Sequence, residues 1–251
     1  MPKGDIMKQS LFTIAENTPL TASVYRMVLT GDTSAVTRPG QFVNVRLEGK
    51  FLRRPISVCE CCGDRLTLLY KVVGGGTAQM AKMAVGETLD VLTGLGNGYD
   101  TAPAGDAPLL IGGGVGVPPL YQLAKELLTL GKRVRVILGF NTKDEVFYED
   151  ELRALGATVT VTTVDGSYGT KGFVTAALDD APYTYFYTCG PEPMLKAVFA
   201  ATKTGGQFSF EERMGCGFGA CMGCSCKTVT GYKRICREGP VLRKEEILWN
   251  A

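Results

Sequence analysis

Over the first hundred residues, apolar and polar positions alternate in short runs. Stretches 24–29, 41–47, 66–73 and 88–92 are rich in β-branched and aromatic residues, and Gly31, Gly40, Gly49, Gly63 and Gly86 punctuate them as turns. This pattern predicts a small antiparallel barrel, interrupted by a helical turn or two at 77–83. After a turn-rich stretch, 94–106, the texture changes. Apolar strands are expected at 109–111, 133–140, 158–164 and 183–188, with helical spacing at 119–129, 145–155, 173–178 and 192–201. Strands alternating with helices imply a parallel sheet covered on both faces. From residue 207 regular periodicity fades while cysteine and glycine concentrate. The reading is a multi-domain chain: a β-barrel over 1–102, a parallel-sheet α/β domain over 103–206 and a small cysteine-rich unit over 207–251.

Composition narrows the chemistry. The 251 residues are 45% hydrophobic, and 27 Lys and Arg against 25 Asp and Glu leave a formal charge of only +2. No cationic stripe is available to neutralise a phosphate backbone, so nucleic acid is not an expected partner. Histidine is absent, which excludes imidazole bases, Ser-His-Asp triads, His-ligated zinc and Rieske-type clusters. The 32 glycines exceed the roughly 7% that is usual and suggest loops wrapped around cofactors. Nine cysteines, five of them between Cys216 and Cys236, fit a metal centre in a reducing compartment better than a disulfide framework. Residues 1–18 lack the apolar core of a signal peptide, and the uncharged stretch 107–124 is broken by glycine and proline. A soluble, cytoplasmic chain with no membrane partner is expected.

Cys216, Cys221 and Cys224 with a distal Cys236 form a C-x4-C-x2-C run closed from afar, the plant-type spacing of a [2Fe-2S] cluster. Gly215, Gly217, Gly219 and Gly223 suit a backbone bent tightly around inorganic sulfide. Four-cysteine zinc and a redox-active thiol group are the alternatives, and Cys226 is a competing ligand. The run LLIGGGVGVPP over 109–119 carries a strand into glycines and then a helix, which lets a phosphate approach free amides through Gly114 and Gly116. It departs from the Rossmann fingerprint because Pro119 stands where the last glycine would be. Cys189, Gly190 and Pro191 end the last strand of that unit, where an open α/β sheet faces its ligand. Arg54, Pro55, Ile56 and Ser57, with Gly74, Gly75, Gly76 and Thr77 at a helix start, offer a guanidinium, amides and a hydroxyl to a pyrophosphate. A solvated arginine and an ordinary capped turn are the plainer alternative.

In order and content these motifs resemble the ferredoxin reductase family over about residues 11–201. Ile56 replaces the tyrosine of the usual flavin motif, so an aromatic stack from that position is lost. Within that family the sequence is similar throughout to the electron transfer subunits of NAD-linked (class 1B) dihydroorotate dehydrogenases. LRRPIS at 52–57, LGNGY at 95–99 and CREGPV at 236–241 carry the match. The resemblance implies an antiparallel flavin-binding barrel, a parallel-sheet nucleotide-binding domain and a [2Fe-2S] domain. FAD would lie on Arg54, Pro55, Ile56, Ser57, Tyr70, Lys71, Val72, Gly76 and Thr77, and NAD on Gly114, Gly116, Cys189, Gly190 and Pro191. The cluster would be held by Cys216, Cys221, Cys224 and Cys236. It also implies an FMN-containing catalytic partner that owns the pyrimidine site, in a heterotetramer of two of each chain.

Acidic Asp144, Glu145 and Asp165 near the nucleotide strands favour NAD over NADP, with Lys143 and Lys171 arguing the other way. Cys59, Cys61 and Cys62 suit no metal spacing and read as buried or semi-buried thiols. Glu211, Glu212 and Arg213 either adjust the cluster, face a partner or form a solvated run. The rival function is a subunit linking NAD(P)H to ferredoxin or a hydrogenase. A different class is a zinc-stabilised module without redox turnover.

Overall fold

Six antiparallel strands, β1 (Lys8–Pro19), β2 (Val24–Thr30), β3 (Phe42–Val45), β4 (Arg54–Cys62), β5 (Arg65–Lys71) and β6 (Thr88–Leu95), close into a barrel ordered β1-β2-β5-β4-β3-β6. The computed structural model describes residues 7–179 and 181–249. Alternation is what permits closure. Phe12 and Ile14, Met27 and Leu29, Val43 and Val45, Leu66 and Leu68, and Leu89 and Val91 all turn inward to fill one core. Helix α1 (Gly75–Met80) caps the barrel with a buried Met80, and Asn17 Nδ2 donates to the Met80 carbonyl at 2.8 Å.

The second unit runs β7 (Leu109–Gly113), α2 (Pro118–Thr129), β8 (Arg135–Phe140), α3 (Glu149–Ala154), β9 (Thr158–Thr163), β10 (Thr170–Lys171), β11 (Phe186–Cys189), α4 (Glu192–Ala201) and β12 (Gly206–Ser209). The C-terminal segment adds a hairpin of β13 (Ser225–Thr228) and β14 (Gly231–Arg234), then β15 (Val241–Arg243). The large sheet is ordered β10-β9-β8-β7-β11-β12-β15, parallel except where β15 runs against β12. Strand β12 therefore crosses the expected 206/207 boundary, and the cysteine-rich segment is sewn to the parallel sheet through β15. From β7 the chain builds outward to β10, then returns to add β11 on the other side. The strand order reverses between β7 and β11, which is where such sheets open a ligand crevice.

Pro118 and Pro119 start α2, where a missing amide hydrogen costs nothing. Its buried Leu120, Leu123, Ala124 and Leu127 follow helical spacing, and the helix also lies against β4 of the barrel. There Lys125 pairs with Glu60 at 2.6 Å, and Gln122 Oε1 accepts the Cys61 amide at 3.2 Å. The helix expected at 145–155 is broken. Residues 143–145 form a 3-10 turn, Phe147 and Tyr148 are drawn into the core, and Tyr148 takes φ 65° before α3 begins. The helix expected at 173–178 is likewise a 3-10 turn, Val174–Ala177. Of the unexplained thiols, Cys59 is buried where the two units meet and Cys61 is half-buried. Cys62, at the end of β4, is exposed, contrary to expectation. Among the described residues no helix is long and apolar enough to cross a membrane.

Candidate cofactor and electron-transfer sites

The loop between β12 and β13 turns back on itself through Gly217 (φ 80°), Gly219 (φ 92°) and Met222 (φ 61°), which brings its cysteines together. They stand as two pairs joined by amide–sulfur hydrogen bonds, Cys216 with Cys221 and Cys224 with Cys236. Backbone amides point at them: Ala220 and Cys221 donate to Cys216 Sγ at 3.2 and 3.4 Å, Cys216 to Cys221 Sγ at 3.4 Å, and Cys236 to Cys224 Sγ at 3.4 Å. Burial opposes ionisation of Cys216, but the amides of Phe218, Cys221 and Ala220 outweigh it and hold the thiol down at about 6. A Cβ on Gly215 would stand 3.1 Å from Cys221 Sγ, so glycine keeps that flank open. Two pairs of cysteines under a canopy of amides suit a two-iron centre bridged by sulfide. Among the described residues no three ligating groups converge as a single ion requires. Cys226 lies on β13 beyond the loop; burial pushes its thiol up, and it joins neither pair.

At the barrel wall, adjacent arginines diverge. Arg53 is fixed by Asp90 through Nη1–Oδ1 at 2.9 Å and Nη2–Oδ2 at 3.0 Å. Among the described residues Arg54 donates only to the nearby Leu52 and Arg53 carbonyls, and its guanidinium lies directly over Gly76, where any Cβ would overlap it. The sequence-expected guanidinium and glycine helix start thus meet across the fold. The Thr77 hydroxyl is already committed, because it accepts the Val73 and Gly74 amides at 3.0 and 3.3 Å. Only backbone amides of this turn remain for an anion. Tyr70 is turned into the barrel core, where its hydroxyl donates to Asn17 Oδ1 at 2.9 Å and burial raises it. Any contact of β5 with a flavin at residue 70 is through the backbone, with Lys71 and Val72 beside it.

A cleft of about 450 Å³ opens at the carboxyl ends of β7, β8 and β9. Gly113, Gly114, Asn141, Pro191 and Glu211 line it, together with Lys71 from the barrel. Gly116 stands behind this wall: a Cβ there would overlap the Cys189 carbonyl, so the glycine turn packs flush on the end of β11. The Cys189 thiol is buried and raised by desolvation, with Ser209 as its partner. Its backbone, not its sulfur, shapes the wall. Glu145 Oε2 accepts the Asn141 side-chain amide at 2.8 Å, which places one carboxylate inside the cleft. Asp144 is not among the lining residues, and Asp165 is engaged by Ser167. Glu211 is exposed along the wall, yet crowding raises its carboxyl by desolvation. Asn141 and Glu211, just past the ends of β8 and β12, and Met194 in the first turn of α4 also line the cleft, and none of them carries a sequence signature of its own.

Family models match two segments: an oxidoreductase NAD-binding domain over residues 110–199 and the iron-sulfur cluster binding domain of dihydroorotate dehydrogenase B over 211–248. In solved structures, the NADH-dependent reduced ferredoxin-NADP oxidoreductase of flavin-based electron bifurcation is similar at TM-score 0.87 and 30% identity, covering 95% of this chain and 90% of that one. A ferredoxin NADP+ reductase from Neisseria gonorrhoeae shares the fold at TM-score 0.66 over 78% of this chain and 89% of its own, at 21% identity. Barrel, crevice and thiolate loop together define a nicotinamide-linked reductase of the ferredoxin reductase fold with an added iron–sulfur domain. Two curated relatives, from a Geobacillus species and from Fusobacterium nucleatum, are 43% and 44% identical over 97% and 96% of this chain and 100% and 99% of their own. Both bear the name dihydroorotate dehydrogenase B (NAD(+)), electron transfer subunit, and the chain belongs to that family.

Proposed function

We propose that this chain passes electrons from dihydroorotate oxidation, carried out at the FMN of a partner catalytic subunit, through a [2Fe-2S] cluster and FAD to NAD+, in de novo pyrimidine (UMP) biosynthesis. A flavin exchanges two electrons with a nicotinamide and single electrons with an iron–sulfur centre, which is why one chain needs all three sites. The polypeptide supplies the rest. Arg54, with Pro55, Ile56 and Ser57, the backbone of Tyr70, Lys71 and Val72, and the turn at Gly76 and Thr77 hold FAD. Gly114 admits the NAD phosphates, Gly116 lets that turn sit flush on β11, and Cys189, Gly190 and Pro191 shape the wall beside them. Glu145 disfavours a 2′-phosphate. Cys216, Cys221, Cys224 and Cys236 hold the cluster.

The observation that carries this reading is that one barrel touches both other sites. Lys71 lines the nucleotide cleft, while the cysteine loop leans on β3 through a bond from Asn44 to the Cys216 carbonyl. A relay through the barrel is the economical use of that arrangement. Cys221, Phe218 and Met222 are exposed on the loop, and this face meets the catalytic subunit in a cytoplasmic heterotetramer of two of each chain. The domains are 1–102 for FAD, 103–206 for NAD and 207–251 for the cluster, the last two sharing a sheet. In the assembled complex, Cys221→Ser should abolish dihydroorotate-linked NAD+ reduction yet spare NADH-dependent dye reduction. Equal loss of both would overturn the order of carriers. The likeness to the bifurcating ferredoxin-NADP oxidoreductase favours a second reading with the same cofactors and another partner. Co-purification of a flavoprotein that oxidises dihydroorotate, as against one that reduces ferredoxin, separates the two.

A further inference from the structure

Barrel and cysteine loop meet at one buried carboxamide. Asn44 sits in β3 between Val43 and Val45, which fill the barrel core, so its side chain points to the opposite face. It is 1% exposed, and Nδ2 donates to the Cys216 carbonyl at 3.1 Å. Gly217 presses so closely that a Cβ there would overlap Nδ2. The Asn44 carbonyl accepts Arg53 Nη1 at 3.3 Å, and Asp90 fixes Arg53 in turn. The other end of the carboxamide, Oδ1, is buried with no partner among the described residues. A buried amide that is only half satisfied is costly and fills no core. What accounts for it is the peptide that Nδ2 holds.

That peptide begins the loop whose amides, at Ala220 and Cys221, face the Cys216 sulfur at 3.2 and 3.4 Å. Hydrogen bonds to sulfur, nearby charge and exposure are the quantities that set a cluster's reduction potential. We propose that Asn44 is a positioning residue for the iron–sulfur centre: it clamps the Cys216–Gly217 peptide to the barrel wall and thereby fixes the amide canopy and the potential. The inference rests on the cluster reading above. It assigns a redox role to a residue of the flavin barrel that touches no thiolate itself.

Asn44→Asp keeps the shape, removes the donor and adds a charge; Asn44→Ala removes the whole contact. Each is prepared in the full complex, assayed for FAD, iron and acid-labile sulfide, and titrated with dithionite under EPR. With FAD content at the wild-type level, the expected result is an altered EPR line shape in both variants. In Asn44→Asp the reduced-to-oxidised ratio at a given potential should fall about tenfold, ~59 mV for one electron. Iron lost while FAD is retained also supports the clamp. Full iron with wild-type line shape and potential in either FAD-loaded variant overturns it. A wild-type complex devoid of iron and sulfide would instead overturn the cluster reading, and the clamp with it.

Discussion

Arg53 and Arg54 are neighbours with opposite duties, and the difference is a partner 37 residues away. Asp90 grips Arg53 with both oxygens, at side-chain exposures of 17% and 19%. Burial alone would raise Asp90, but Arg53 outweighs it and holds the carboxyl below its ordinary value. A carboxylate lowered in this way stabilises the fold above the unfolded-state pKa, and that contribution fades as pH falls through the lowered value. Arg54 has no acidic partner among the described residues and overlies Gly76. Arg53→Ala should therefore cost about 1.5–3 kcal/mol of stability in urea unfolding. Arg54→Ala should leave stability nearly unchanged but weaken FAD at least tenfold, about 1.4 kcal/mol, in a flavin fluorescence titration. Reversed phenotypes would transfer the flavin role to Arg53. The motif LRRPIS presents both arginines alike, so the sequence made Arg54 legible as a type of residue and left its partner invisible. Cysteine spacing was legible as a pattern, because three cysteines within one loop are a local constraint. Asn44 carries no local signature at all.

At the scale of elements, two glycines of one turn play separable parts. A Cβ on Gly114 (φ 53°) would meet no atom within 4 Å, since it faces the cleft. A Cβ on Gly116 would overlap the Cys189 carbonyl at the end of β11. Gly116→Ala should thus behave as an overpacked core, losing roughly 1–3 kcal/mol, or about 2–4 °C of Tm per kcal/mol at this size, along with NADH use. Gly114→Ala should raise KM for NADH in dye reduction at least as much while costing only the strain of its left-handed backbone, about 1–2 kcal/mol. If Gly116→Ala melts with the wild type, the packing argument is wrong. The strand, turn and helix around these glycines were readable because periodicity changes from apolar run to helical spacing within eleven residues. Strand β1 was not, because Leu11 is 71% exposed beside inward Phe12 and Ile14, and polar residues fill most of the rest. Strand β15 was equally hidden: three residues pair with β12 only after a detour over residues 210–240 and carry no period of their own.

Over the whole molecule, three units are tied by the short stretch 97–100. Asn97 Nδ2 donates to the Glu238 and Val241 carbonyls at 3.1 and 2.8 Å, and its Oδ1 accepts the Val241 amide at 3.1 Å. Tyr99, buried and raised well above its ordinary value by desolvation, donates to the Thr188 carbonyl at 3.1 Å. Gln207 brackets Asp100, accepting its amide at 2.9 Å and donating to its carbonyl at 2.8 Å. Barrel exit, nucleotide strand β11 and the cysteine-rich segment therefore share one anchor, and LGNGY was recognisable in sequence only as a likeness because its partners lie up to 144 residues away. The anchor should make the cluster unit unfold together with the flavin barrel. Asn97→Ala strands a buried amide and two carbonyls, at about 1–3 kcal/mol for each group left unpaired, and removes the strut between 97 and 241. Guanidinium unfolding followed at once by cluster absorbance and flavin fluorescence should give coincident transitions in the wild type. In Asn97→Ala the cluster signal should fall at lower denaturant than the flavin signal, because β15 would be released while the barrel, closed on itself, stays intact. Coincident transitions in the variant, even at reduced stability, would mean that the β12–β15 pairing alone couples the units and that Asn97 merely adds to it.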